Sequence, residues 1–216
     1  MSTLRYIVDN WDTLRPQVLD HLKIVGICVL VAAAAGLLLG IVAARSDRFA
    51  AFILALTSII LTVPSFALFG LLSIWVGLGD PPVIVGLILY ALLPIVRNTR
   101  EGIVAVDAAV AEAARGMGMT SLQVLARVEL PLAVPVILAG LRQATVMVVA
   151  IATVGAAVGA NDLGQPIFAA LTRDTGTLEQ VLAGVLPVAL IGIVADVVLA
   201  AAQRGLSKGR VAVAAT

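Results

Sequence analysis

Five long apolar stretches, residues 24–44, 49–77, 83–96, 144–160 and 181–202, alternate with short segments that hold nearly all the charge. Crossing a hydrocarbon core takes about 20 apolar residues in a helix, so the pattern predicts five membrane-spanning helices. The third stretch is short, and must borrow from its flanks or re-enter on the same side. The second is longer than a span needs and contains Pro64, which predicts a kink or tilt near residues 63–65. Ahead of the first stretch, Tyr6, Ile7, Trp11, Leu14 and Val18 are interleaved with Arg5, Asp9, Asp12, Arg15 and Asp20. That mixture predicts an amphipathic segment over about residues 1–23 lying in the outer interface. The first apolar run is too long for the core of a cleaved leader, so it reads as a true span.

Basic residues orient the spans, because Lys and Arg are retained on the cytoplasmic side. Arg45, Arg48, Arg97, Arg100, Arg115, Arg127, Arg142, Arg204, Lys208 and Arg210 are expected on one side, and only Arg5, Arg15, Lys23 and Arg173 on the other. This places the N-terminus outside, with the C-terminus and the polar segment between the third and fourth spans in the cytoplasm.

Composition agrees: 61% of the 216 residues are hydrophobic and 12% charged, with a mean hydropathy of +1.11. Such a chain is an all-α integral membrane protein, read as one domain over residues 1–216. A net charge of +1 gives no footprint for nucleic acid. Cys28 and His21 are each the only residue of their kind and carry no metal or catalytic role. A membrane-embedded enzyme would need a cluster of reactive side chains within the spans, where only Asp196 and Cys28 occur. Asp196 must face protein or water rather than lipid, as a pairing group or a functional one. Small residues recur at helical spacing as Ala32, Gly36, Gly40 and as Gly155, Gly159, which suits close helix packing within one subunit or across a dimer.

The polar segment over residues 97–131 has its own local logic. Asp107 can cap a short helix from residue 108 to about 115, which Gly116 and Gly118 end. Thr120 and Gln123 form a capping-box pattern that opens a second helix, and Pro131 is expected to close it. The segment contains Glu112-Ala113-Ala114, then Gly118, then nine residues on Val128-Glu129-Leu130-Pro131. In this spacing it resembles the EAA loop by which permeases of ATP-binding cassette (ABC) importers dock on their ATPases. The likeness runs from about Gly40 to Lys208. Thr62-Val63-Pro64-Ser65, the run from Leu89 to Thr99, and Glu129 to Arg142 are most similar to permeases of bacterial osmoprotectant importers, which carry glycine betaine, carnitine, choline and related compounds.

The resemblance implies a type I importer permease fold, like that of the methionine importer, in the bacterial cell membrane. It implies a second permease copy or paralogue, ABC ATPase subunits that bind ATP and magnesium, and an extracytoplasmic substrate-binding protein, with no cofactor in this chain. Glu112, Ala113, Ala114, Gly118, Leu130 and Pro131 become the candidate coupling residues. This chain lacks a GxxxxGK[ST] phosphate loop, so the energy must come from a partner and the chain is not itself an enzyme. An importer of another small solute, such as an amino acid, is the alternative. A secondary transporter would explain the hydrophobicity but neither the docking loop nor the missing internal duplication.

Ser65, Phe66, Phe69, Trp75, Tyr90, Asn161, Asp162 and Asp196 are the candidates for lining a path. Nine aromatic residues in all leave little for an aromatic cage around a quaternary ammonium, so strong selection is expected to reside in the binding protein. Asn161 and Asp162 stand where the family has two glycines. An acidic group there can favour a cationic solute or simply solvate a loop end.

Overall fold

In a membrane the backbone must satisfy its own hydrogen bonds, and coiling is the way a single apolar run does so. The computed structural model describes residues 3–211, with side chains as far as residue 206. Lys208 and Arg210 from the charge count lie beyond those side chains, and the ends of the 1–216 domain lie outside the described residues. The helices are α1 (Thr3–Asp9), α2 (Trp11–Arg45), α3 (Asp47–Thr62), α4 (Ser65–Val76), α5 (Asp80–Val104), α6 (Ala108–Gly116), α7 (Ser121–Val124), α8 (Leu130–Ala152), α9 (Gln165–Thr172) and α10 (Leu178–Val211).

Four continuous helical stretches are long and apolar enough to cross a membrane: Trp11–Arg45, Asp80–Val104, Ser121–Val158 and Leu178–Leu206. The fifth candidate is the pair α3 and α4, bent by 100° at their junction. Pro64 therefore breaks the second apolar run rather than tilting it. Val63 is extended, and its carbonyl accepts a 2.7 Å hydrogen bond from the Tyr90 hydroxyl of α5. That bond replaces the helical partner lost at the break.

The short third run borrows at both ends, one of the two outcomes expected of it, so α5 is a full 25-residue helix that includes Pro94 and Arg97. Two other expectations are corrected. The amphipathic segment is mostly not separate: only α1 stands apart, and α2 is one 35-residue helix from Trp11 through the first span. Pro131 does not end its helix. A π-helical turn over Leu125–Glu129 precedes it, and the Leu130 amide donates to the Leu125 carbonyl across this wider turn. One extra residue per turn gives the proline ring room, and the helix continues through α8.

The helices pack through their small residues. A β-carbon at Gly36 would lie 2.7 Å from Ile95 Cγ2, and one at Gly40 would collide with Thr99, so α2 and α5 run parallel in close contact. Gly102 faces Ala133 and Val136, while Gly140 faces Asn98 and Pro94, which sets α5 antiparallel to α8. The small-residue stripe of the first span thus serves packing inside the chain. Around these contacts lies one apolar core that includes Ile24, Cys28, Ala32, Phe69, Leu87, Tyr90, Ala144 and Val148.

Candidate functional site

The loop between α5 and α8 is built as its local sequence dictates. The Asp107 carboxylate accepts from the Ala109 amide at 2.9 Å and caps α6. At its far end only Gly118 takes a left-handed conformation, at φ +86, whereas Gly116 is the last helical residue. Thr120 and Gln123 form the reciprocal capping box, with the Thr120 amide donating to Gln123 Oε1 at 2.8 Å.

A small core of its own holds the loop rigid. Ala111, Ala114 and Val124 are buried together, with Met119 and Val128 packed against them. Of the three EAA residues, Ala114 therefore points inward, while Glu112 and Ala113 are exposed. Met117 is 74% exposed and Leu122 73%. A β-carbon on Gly118 would meet nothing within 4 Å. The outer face thus carries one carboxylate, two bare apolar side chains and a glycine open to close approach. Leu130 and Pro131 are half-buried at the start of α8 and take no part in that face.

Two ion pairs brace the root of the loop, and neither was evident in the sequence. Arg45, at the end of α2, reaches Glu129 Oε2 at 2.6 Å and Oε1 at 3.4 Å, with the Glu129 side chain 8% exposed. Arg100 of α5 reaches Asp47 of α3 at 2.8 Å. Beside them Arg45, Arg115, Ser121, Leu122 and Leu125 line a recess of about 310 Å³.

At the other end of the bundle, the loop after the fourth span is tightly folded. A β-carbon on Gly164 would collide with the Thr153 carbonyl, and one on Gly155 would lie 2.7 Å from Asp162 Oδ2. Asp162 is fully buried here. Its Oδ1 accepts from the Gly164 amide at 2.6 Å, while Oδ2 has no hydrogen-bond partner among the described residues. It neither solvates a loop end nor opens onto a path, which corrects both sequence readings. Asn161 is exposed and ties the loop to α2, donating to Asp20 Oδ2 at 2.6 Å.

Burial pushes the Asp162 carboxyl up from 3.8 to about 7, opposed by the Gly164 bond and reinforced by the nearby Asp80 charge. A carboxyl whose folded pKa is raised is most stabilising while protonated. Its contribution is full below about pH 4 and is lost as the pH rises through about 7, falling by about 1.4 kcal/mol for each pH unit crossed in between. Asp162→Asn keeps the acceptor for Gly164 and removes the ionisation. The variant should therefore gain thermal stability over the wild type at pH 8, by a margin that shrinks as the pH falls to 5. Unfolding curves in detergent across that range test this, and a constant margin would show that Asp162 ionises freely in the fold.

The remaining path candidates separate by burial. Phe69 and Tyr90 are core residues, Phe69 packing on Gly86 and Tyr90 closing the break at Val63, so neither lines a path within this chain. Phe66 and Trp75 lie exposed on α4, at 60% and 81%, and Ser65 is half-buried at its start. Asp196 is paired: Arg142 of α8 donates from Nε to its Oδ1 and from Nη2 to its Oδ2, both at 3.0 Å. Arg142 is thus an intrahelical residue of the fourth span, not one of the loop residues counted for orientation. Fixed spacing along α8 and α10 hid this pair in the sequence, since 54 residues separate its members.

Known proteins place this geometry in context. The profile of a family described as binding-protein-dependent transport system inner membrane component matches residues 36–208. The glycine betaine/carnitine/choline transport system permease protein OpuCD of Bacillus subtilis (strain 168) is 45% identical over 179 residues, 83% of this chain and 78% of its own length. The carnitine transport permease protein OpuCD of Listeria monocytogenes is 38% identical over 211 residues, 96% of this chain and 94% of its own. The choline transport system permease protein OpuBD of Bacillus subtilis (strain 168) is 40% identical over 204 residues, 94% and 90% of the two chains. Among solved structures, the MetNI methionine ABC transporter in an inward-facing conformation matches with a TM-score of 0.80 at 21% identity, over 92% of this chain and 98% of that one. An amino acid ABC transporter with histidines matches at 0.76 and 18%, over 94% and 98%.

Proposed function

Because the chain belongs to the family of binding-protein-dependent transport system inner membrane components, we propose that it is the permease subunit of an ATP-driven importer for quaternary ammonium osmoprotectants such as glycine betaine, carnitine or choline. The observation that carries this reading is identity of 38% to 45%, over four-fifths or more of this chain, to relatives named for those solutes. The type I importer architecture shared with the solved transporters supports it at the level of fold.

In this reading two permease subunits, copies or paralogues, enclose the path. ABC ATPases seat on the α6 loop and supply ATP hydrolysis, and an extracytoplasmic binding protein delivers the solute. The rigid core of the loop supports docking, because a force applied at Glu112 and Gly118 passes to α8 through a helix that does not stop at Pro131. The Arg45 and Glu129 pair carries the same force to α2.

Uptake tests the assignment. Expressed with its ATPase, second permease and binding protein in cells lacking osmolyte importers, the chain should restore growth in high salt when glycine betaine, carnitine or choline is supplied. Competition with methionine or histidine, but with none of the osmolytes, would move the assignment to amino acids. Orientation has its own test, since Cys28 is buried and leaves engineered thiols unobscured. Thr120→Cys should react with an impermeant maleimide only from the cytoplasmic side, and Leu78→Cys, at a position 75% exposed, only from outside. Labelling in the opposite sense would remove the loop from its ATPase.

A further inference from the structure

Arg142 and Asp196 face each other at corresponding depths of two antiparallel helices, for Gln203 of α10 also meets Pro135 of α8, seven residues from the pair on each side. The guanidinium spends all its reach here, its Nη1 donating to Gln203 Oε1 at 3.0 Å. Yet the pair is not sealed: the side chains are 31% and 40% exposed. Gln143 is exposed beside them, with no hydrogen bond among the described residues. The rest of the open face of α10 is different, with Leu190, Ile193, Val194 and Val197 bare and apolar.

A charge turned toward hydrocarbon is costly, so this polar corner is built to face water or protein, while the apolar face of α10 suits lipid. It opens on a recess of about 460 Å³ lined by Ala139, Arg142, Gln143, Val146, Met147 and Asp196. The α8 members recur at intervals of three and four residues and so form one stripe along the helix.

We propose that this recess is a solute-contact point inside the permease, where the ion pair opens so that Arg142 takes a solute carboxylate and Asp196 a solute quaternary ammonium. The proposal rests on the osmoprotectant reading and adds to it a site within this subunit. The chemistry fits both groups. A planar guanidinium matches a carboxylate with two parallel bonds, whereas a quaternary ammonium has no N–H to donate and, where no aromatic cage is present, is met by an opposite charge. Exchanging one internal pair for two solute pairs is close to balanced, so the solute is held weakly. Weak holding is what a passage needs.

The test compares maximal uptake of glycine betaine, a zwitterion, with that of choline, a cation without a carboxylate, in proteoliposomes containing the whole importer. Arg142→Gln should raise the choline-to-betaine ratio by tenfold or more, and Arg142→Lys should raise it less. Asp196→Asn should lower it, because Asp196 is the only partner choline has there. Gln143→Cys, which alters neither charge, should react with a water-soluble maleimide and be protected by glycine betaine. Equal loss of both solutes in Arg142→Gln and Asp196→Asn, with recovery in the charge-swapped double variant, would make the pair a structural clamp and overturn the proposal. An unreactive thiol at position 143 would overturn it as well. Either result leaves the osmoprotectant reading intact, whereas uptake of neither solute by the wild-type importer would end both.

Discussion

Gly118→Asp is expected to abolish uptake and stimulated ATP hydrolysis together while leaving the permease folded. Gly118 holds φ +86 at the tip of the loop, a conformation that costs a residue with a β-carbon about 1 to 2 kcal/mol. That strain is local, because nothing lies within 4 Å of the added atom. The larger effect falls on the partner, since a side chain and a charge are inserted where a close-approach surface had neither. Glu112→Ala removes the one exposed carboxylate of α6 and should weaken association by about 1 to 3 kcal/mol, the range for a charge-assisted hydrogen bond. Co-purification of the ATPase, its stimulated turnover and solute uptake measure the two variants side by side. Wild-type values for both would remove the docking role from this loop.

The second large effect is expected at Arg45. Its guanidinium is the partner of Glu129, a carboxylate buried in the π-helical turn ahead of Pro131. Arg45→Ala leaves that buried carboxylate without its half-exposed partner and should destabilise the assembled permease by about 1 to 3 kcal/mol, the range for a buried polar group left unsatisfied. Replacing both residues by methionine should recover most of the loss. Thermal unfolding of the single and double variants decides the matter: if Arg45→Ala unfolds as the wild type does, Glu129 is not held by this bond. Uptake by the double variant adds a second reading. If stability returns but transport does not, the pair transmits force between α2 and α8 as well as bracing them.

Much of this protein was legible along the chain. Apolar runs located the membrane helices, because a run of some 20 uncharged residues has few other fates. Asp107 and the Thr120 and Gln123 capping box fixed the starts of two helices, and Gly118 the turn between them, since these are bonds within four residues. Resemblance in the same loop pointed to an importer permease, and the run from Leu89 to Thr99 to the osmoprotectant branch.

What the sequence misplaced depended on contacts between distant segments. Pro64 read as a kink or tilt and Pro131 as a helix ender, yet the first breaks its helix by 100° and the second is threaded through. The difference lies in what surrounds them: Tyr90 is placed to satisfy the open carbonyl at Val63, while a wider turn before Pro131 keeps the ladder intact. Phe69 and Tyr90 are aromatic residues in an apolar run whichever way they face, and only packing against Gly86 and Val63 makes them core. Asp162 reads as a loop carboxylate until the folded loop closes over it. Composition and local bonding determine that a helix forms and where it starts, because those energies belong to neighbours in sequence. Tertiary structure alone decides which face of the helix meets protein and which charges find each other. Arg45 meets Glu129, and Arg142 meets Asp196, only once the helices have packed.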